Sequence, residues 1–134
     1  MQWGGYGTDI PGLTNYSSSP HNSDFDGKSN TSKIVSALGS GTSYAAGYCN
    51  AYSKGGVSGW YLPAQGELYA SVWTNKSTVN AGLSAAGGTS IQNGWHWSSS
   101  EHGSYNAWIV TANDGLVGYR YKSSNNYVRC VLAF

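Results

Sequence analysis

The chain has 134 residues, enough for one domain with a real core, and only 10% of them are charged while 14% are aromatic, six Trp and eleven Tyr among them. Disorder goes with few aromatics and high net charge, so this composition excludes it. A formal charge of +1 from scattered Lys and Arg leaves no electrostatic footprint for nucleic acid, and no stretch approaches the roughly eighteen apolar residues of a membrane span.

Residues 1–30 are rich in Gly, Ser, Asn and Asp with isolated aromatics (Trp3, Tyr6, Tyr16, Phe25), which reads as ordered loop. The opening Met1-Gln-Trp-Gly-Gly has neither the basic head nor the apolar core of a signal peptide. Asn22, Asp24 and Asp26 with Gly27 have the spacing of a calcium loop. Lys33 stands where that loop needs its bidentate glutamate, so an Asx-rich turn entering a helix is the preferred reading and no metal is expected. Thr31 or Ser32 can cap a short helix through Ile34, Val35 and Leu38 that stops at Gly39.

A second helix follows Thr42 or Ser43. Tyr44, Ala45, Tyr48, Cys49 and Tyr52 make its inward stripe, and Gly55-Gly56 ends it. Gly59-Trp-Tyr-Leu-Pro63 reads as extended chain, because a residue before proline avoids the helical region. A helix over about 64–74 then buries Leu68 and Val72, and another short one carries Val79 and Leu83.

Beyond Gly87-Gly88 the period changes to two. Trp108, Val110 and Ala112 alternate, Asn113-Asp-Gly115 signals a hairpin turn, and Val117, Tyr119 and Tyr121 alternate again. Val128, Cys130, Leu132 and Phe134 form one face of a last strand. Helices first and an antiparallel sheet last is an α+β order. Cys49 and Cys130 lie in no CxxC pair, which argues against zinc or a redox motif. A disulfide between them and two buried free thiols both remain open.

Little in the chain points to catalysis, and neither an enzyme nor a cofactor is expected. Ser98–Ser100, His96 or His102, and Asp114 contain the residue types of a serine hydrolase, but there is no GxSxG elbow to expose the nucleophile. Glu67 and Glu101 serve as an acid pair only if they are close. The pairing favoured by this reading is Glu101 with Arg129, bracing the two ends of the final forty residues.

Five motifs in order carry a resemblance. Gly59-Trp-Tyr-Leu-Pro63 with Glu67-Leu68, Trp97-Ser-Ser-Ser-Glu101, Asn106-Ala-Trp108, Asp114-Gly115 and Tyr127-Val-Arg-Cys-Val131 resemble bacterial and phage domains of the C-type lectin-like fold. These are close to the DUF1566 group and related to the formylglycine-generating enzymes. The resemblance covers roughly residues 24–134 and implies short helices packed on a small twisted antiparallel sheet, with the C-terminal strand in the core. It makes 1–134 one C-type lectin-like domain, with a loop-rich 1–30. The EPN, QPD and WND motifs of calcium-dependent sugar binding are absent, so that activity is not carried over.

Within 95–134 the spacing of large residues is similar to that of the variable proteins of diversity-generating retroelements, whose adenine-specific mutagenesis rewrites chosen AAC or AAT codons. Under this resemblance the variable positions are His102, Gly103, Ser104, Tyr105, Ile109, Thr111, Asn113, Leu116, Gly118, Tyr119, Arg120, Tyr121, Ser123, Ser124, Asn125 and Asn126. None is Trp, Lys, Glu, Gln or Met, the types such codons cannot reach. Trp97, Trp108, Val110, Val117, Val128 and Cys130 are the expected frame. Among the aromatic run Tyr119-Arg-Tyr121, Arg120 is the preferred surface residue. The implied partner is a protein or cell-surface ligand, and the implied setting a cell surface, a secreted product or a virion. A fixed-sequence adhesin module is the alternative, and an enzyme of the formylglycine-generating type the third.

Overall fold

The structure, a computed structural model, describes residues 1–133. Four short helices precede one antiparallel sheet: α1 (Gly27–Leu38), α2 (Ala45–Ala51), α3 (Gln65–Tyr69), α4 (Lys76–Ala85), β1 (Trp95–Glu101), β2 (Asn106–Thr111) and β3 (Val117–Tyr121). This is the α+β arrangement expected, with strands ordered β1-β2-β3.

α1 starts at Gly27, four residues before the expected cap. Its first N–H is satisfied from a distance: Glu67 Oε1 accepts from Gly27 N at 2.9 Å and from Ala64 N at 3.0 Å. A Cβ on Gly27 would lie 2.5 Å from that same oxygen, so glycine is needed for the approach. Thr31 is not a cap. Its hydroxyl donates to the Leu62 carbonyl and accepts from the Leu62 N–H, strapping α1 to the Gly59–Pro63 segment. Asp24 closes an Asx turn onto Asp26 N, and its other oxygen takes Asn30 Nδ2 at 3.0 Å and Ser100 Oγ at 2.7 Å.

α2 ends at Ala51, before the glycine pair. Tyr44, Ala45 and Cys49 face inward as expected, whereas Tyr48 turns outward and Tyr52 is half-buried. α3 runs into a π-helical turn, Ala70–Thr74, and then α4. Two apolar clusters result. One joins Trp3, Ile10, Ile34, Ala45, Cys49, Leu62, Trp97 and Ile109. The other joins Leu68, Val72, Ile91, Val110 and Ala112. The loop-rich N-terminal part is therefore core-forming, since Trp3 is fully buried and donates its indole N–H to the Ser98 carbonyl.

β1 pairs with β2 from Trp95↔Thr111 to Glu101↔Ala107, with a register irregularity between Trp97 and Glu101. β2 pairs with β3 from Asn106↔Tyr121 to Val110↔Val117. The outer edge of β1 is covered in pieces. Tyr127 exchanges bonds with Trp95 and Trp97, Pro63 accepts from Ser99 N, and Glu101 accepts from Tyr16 N.

The expected last strand is thus realised only as separate bridges, His96↔Tyr127 and Tyr61↔Val131. Its two ends pair with different segments, so no continuous ladder forms. Val128 and Cys130 are half-buried against the first cluster, and Cys130 is disulfide-bonded to Cys49 with Cα atoms 5.2 Å apart. Phe134 lies outside the described residues.

Candidate functional site

The hairpin β2–β3 owes its shape to the turn chemistry. Gly115 takes φ +72°, and a Cβ there would meet the Trp73 ring at 2.5 Å. The Thr111 hydroxyl donates to Asp114 and accepts from Leu116 N at 3.0 Å. These contacts hold the Asp114 carboxyl below its ordinary range, first through Thr111 and then through the Leu116 N–H. Lys76 Nζ closes the end of the turn on the Ala112 carbonyl at 2.8 Å.

On one face of β3, Tyr119 and Tyr121 point to solvent with 45% and 59% of their surface exposed. Tyr119 stacks on His102, centroids 4.0 Å apart, and stands edge-on to Trp108 at 5.3 Å. Tyr105, 54% exposed in the β1–β2 turn, meets Tyr6 at 5.2 Å, and Tyr6 meets Tyr121 at 6.0 Å. These exposed and half-exposed rings therefore make two groups, Tyr105–Tyr6–Tyr121 and His102–Tyr119 against Trp108, which meet along β3 where Tyr119 and Tyr121 share a face. Tyr6 was missed by sequence reasoning. Its only signal was an aromatic side chain isolated among glycines, held in place here by Gly7 N donating to the Ser104 carbonyl at 3.0 Å.

The other expected positions divide. Gly103 and Ser104 are half-exposed in the same turn as Tyr105; Asn113 and Leu116 are exposed at the opposite end of the hairpin. Ser123 and Asn125 are exposed and Ser124 and Asn126 half-exposed in the turn after β3. Gly118 is half-exposed on the other side of the strand. Arg120 is only half-exposed, because its guanidinium lies 3.6 Å from the Trp95 ring centroid and donates to the Tyr119 carbonyl. The tyrosines, not Arg120, are the outward residues of that run.

Two positions are corrected outright. Ile109 is fully buried in the first cluster, and Thr111 is buried by its work in the turn. Neither can touch a ligand while the fold is intact.

Beneath the rings lies a polar frame. Glu101 and Lys122 form an ion pair at 2.7 Å with both side chains fully enclosed. Lys122 Nζ also donates to the Thr8 carbonyl at 2.7 Å and sits 4.6 Å from the Trp3 ring centroid. Glu101 also accepts from Ile10 N, so the expected Glu101–Arg129 contact is replaced. Arg129 instead donates to the Thr89 carbonyl. Burial pushes the Glu101 carboxyl up to about 7 against the pull of Lys122, and burial likewise lowers Lys122.

Ser98 donates to the Trp108 carbonyl and Ser100 to Asp24, while buried His96 is held down to about 4 by desolvation. Glu67 takes Tyr61 Oη at 2.7 Å in addition to its two backbone donors. Ser98, Ser100, His96 and Glu101 are buried inside the packing, and Glu67 is half-buried at its edge. No cluster of His, Cys, Asp and Glu able to hold a metal occurs among the described residues.

A buried polar frame thus lies beneath exposed aromatic side chains, and the family the chain matches falls in the C-type lectin-like group. The chain belongs to the family of Lcl C-terminal domains, whose profile matches residues 14–132. No curated protein and no solved structure gives a significant match. Among the described residues no helix is long and apolar enough to cross a membrane.

Proposed function

We propose that this is a non-catalytic ligand-binding display domain whose contact surface is the aromatic series of Tyr6, His102, Tyr105, Tyr119 and Tyr121, and that its gene is the diversified target of a retroelement. The observation that carries the binding reading is those four tyrosines, each about half exposed, three of them in ring contact through Tyr6 and the fourth, Tyr119, stacked on His102 on the same face of β3 as Tyr121. Tyrosine supplies large, rigid contact area at low entropic cost, which is why binding surfaces favour it. The ligand is a protein or another cell-surface molecule.

The absence of catalysis is supported by the enclosure of Ser98, Ser100, His96 and Glu101, and by the spending of both thiols in one disulfide, which leaves no cysteine pair for oxidation of a substrate. Diversification is supported by the coincidence of most slot positions with exposed or half-exposed sites; Ile109 and Thr111 drop out of it.

Two experiments test the two parts. Sequencing the locus is expected to find a near-copy of the gene's 3′ end differing at adenines, beside a reverse transcriptase gene. Without that repeat the retroelement reading falls and a fixed-sequence binding module stands. For binding, the Tyr105→Ala, Tyr119→Ala and Tyr121→Ala triple variant is compared with wild type for attachment to the host or target cell surface. Undiminished attachment by a folded triple variant refutes the surface.

A further inference from the structure

A second concavity of about 530 Å³ opens away from the tyrosine series, between the end of α2, α4 and the C-terminal segment. That is the size of a small-molecule site. We propose that it binds a small organic carboxylate carrying a planar ring, with the carboxylate on Arg129 and the ring against Trp60.

Charge selects the anion. The lining includes Arg129 and Lys54 and no Asp or Glu. Arg129 is half-buried, and among the described residues its guanidinium donates only to the Thr89 carbonyl and the single ion pair lies elsewhere, at Glu101 and Lys122. A guanidinium has five donor hydrogens in a planar fork that matches a carboxylate, so most of this fork is unspent in a partly desolvated place. Burial already lowers the Arg129 pKa, which is the cost a bound anion would relieve.

The ring is selected by the wall. Trp60 is held by its indole N–H on the Val57 carbonyl at 3.1 Å, with Tyr52 edge-on at 5.1 Å and 86° and Tyr48 6.0 Å beyond Tyr52. A fixed indole with an aromatic neighbour favours a flat partner. Val72 and Leu83 add apolar lining. None of the tyrosines at positions 105, 119 and 121 lines this groove, so the site does not depend on the display surface.

The test is an NMR titration of the disulfide-intact protein with phenylacetate, following the Trp60 indole N–H, with 2-phenylethanol as the neutral control. A ligand of this size is expected to bind with a Kd on the order of a millimolar. 2-Phenylethanol and the Arg129→Gln variant should each weaken binding by about tenfold or more. Trp60→Ala, followed through the backbone amides of the lining residues Leu83 and Gly88, should abolish it, and the triple tyrosine variant should leave it unchanged. Unchanged amide dispersion shows that each variant is folded. The proposal is overturned if phenylacetate gives no saturable shift, if both probes bind alike, or if Arg129→Gln binds as wild type does.

Discussion

β1 and β3 invert the usual relation between residue type and position. β1 reads Trp-His-Trp-Ser-Ser-Ser-Glu, and every residue after Trp95 is buried. β3 reads Val-Gly-Tyr-Arg-Tyr, and its two aromatic rings are exposed. The difference lies in what each strand has on its flanks. β1 has β2 on one side and pieces of three other segments on the other, so its polar groups find partners inside, save His96 Nε2 and Glu101 Oε1; β3 has only β2 beside it among the described residues. Burial here follows the supply of hydrogen-bond partners as much as hydropathy.

If the cover on β1 carries the stability, cutting it should cost most. Replacing Cys49 and Cys130 by serine frees the segment that seals the Trp95–Trp97 edge. For a loop spanning 81 residues the chain-entropy cost is about 4.5 kcal/mol, to be read by urea denaturation against the oxidised protein.

Lys122→Ala strands Glu101 in the interior and should cost roughly 3–5 kcal/mol, while Glu101→Leu with Lys122→Met should recover most of that loss. Equal losses in the single and double variants would mean that the pair's packing, not its charge, matters.

His96 sharpens the comparison through pH. Its pKa in the fold, about 4, lies below the unfolded value of 6.5, so the folded state refuses a proton that the unfolded chain takes. Its contribution is complete above pH 6.5 and is lost as pH falls toward 4, up to about 3 kcal/mol. Glu101, raised to about 7, acts in the opposite sense between 4.5 and 7. The difference between wild type and His96→Phe across pH 4–7 therefore isolates the histidine. A flat difference would show that His96 does not titrate as buried.

On β3 the effects should be small. Tyr119→Ser loses the contacts with His102 and Trp108 and should cost about 1 kcal/mol; Tyr121→Ser should cost under about 0.5 kcal/mol. Thermal melts check both, and a loss at Tyr121 comparable to that at Lys122 would erase the distinction between frame and surface.

The parts of the fold written locally were legible. Gly39 stops α1 at φ +87° with its N–H on Val35, and the Asn113–Gly115 turn and the β2–β3 hairpin stand where the sequence placed them, although β2 is buried on both faces instead of alternating. Cys49 was legible as an inward helix position, and the bridge to Cys130 followed once the last segment crossed it. What could not be read depends on partners far along the chain. The Asx turn of Asp24 and Asp26 marked the entry to α1, but Glu67 caps that helix from 40 positions later, so its first turn could not be told from the residues beside Gly27. β1 lacks alternation because both faces are covered, and its serines looked like loop. Glu101 had three cations to choose from in the final segment, Arg120, Lys122 and Arg129, and only the placement of Thr8 and Trp3 decides for Lys122. Of the proposed surface, Tyr105, Tyr119 and Tyr121 were named through the family resemblance, while the strand run itself pointed to Arg120, whose stacking on Trp95 the sequence did not show. Tyr6 was not named, because it comes from a segment without any period.

The outer edge of β3 has one more consequence. An unpaired strand edge is a template on which a second chain can add, and proteins blunt such edges. Here the Tyr121 carbonyl is taken by the Ser124 backbone N–H at 2.8 Å, and the Tyr119 carbonyl by the Arg120 guanidinium. The first guard is backbone and survives any replacement at position 124 except proline; the second is a side chain. The chain with Arg120 should stay monodisperse at concentrations where an Arg120→Ala variant begins to self-associate edge to edge.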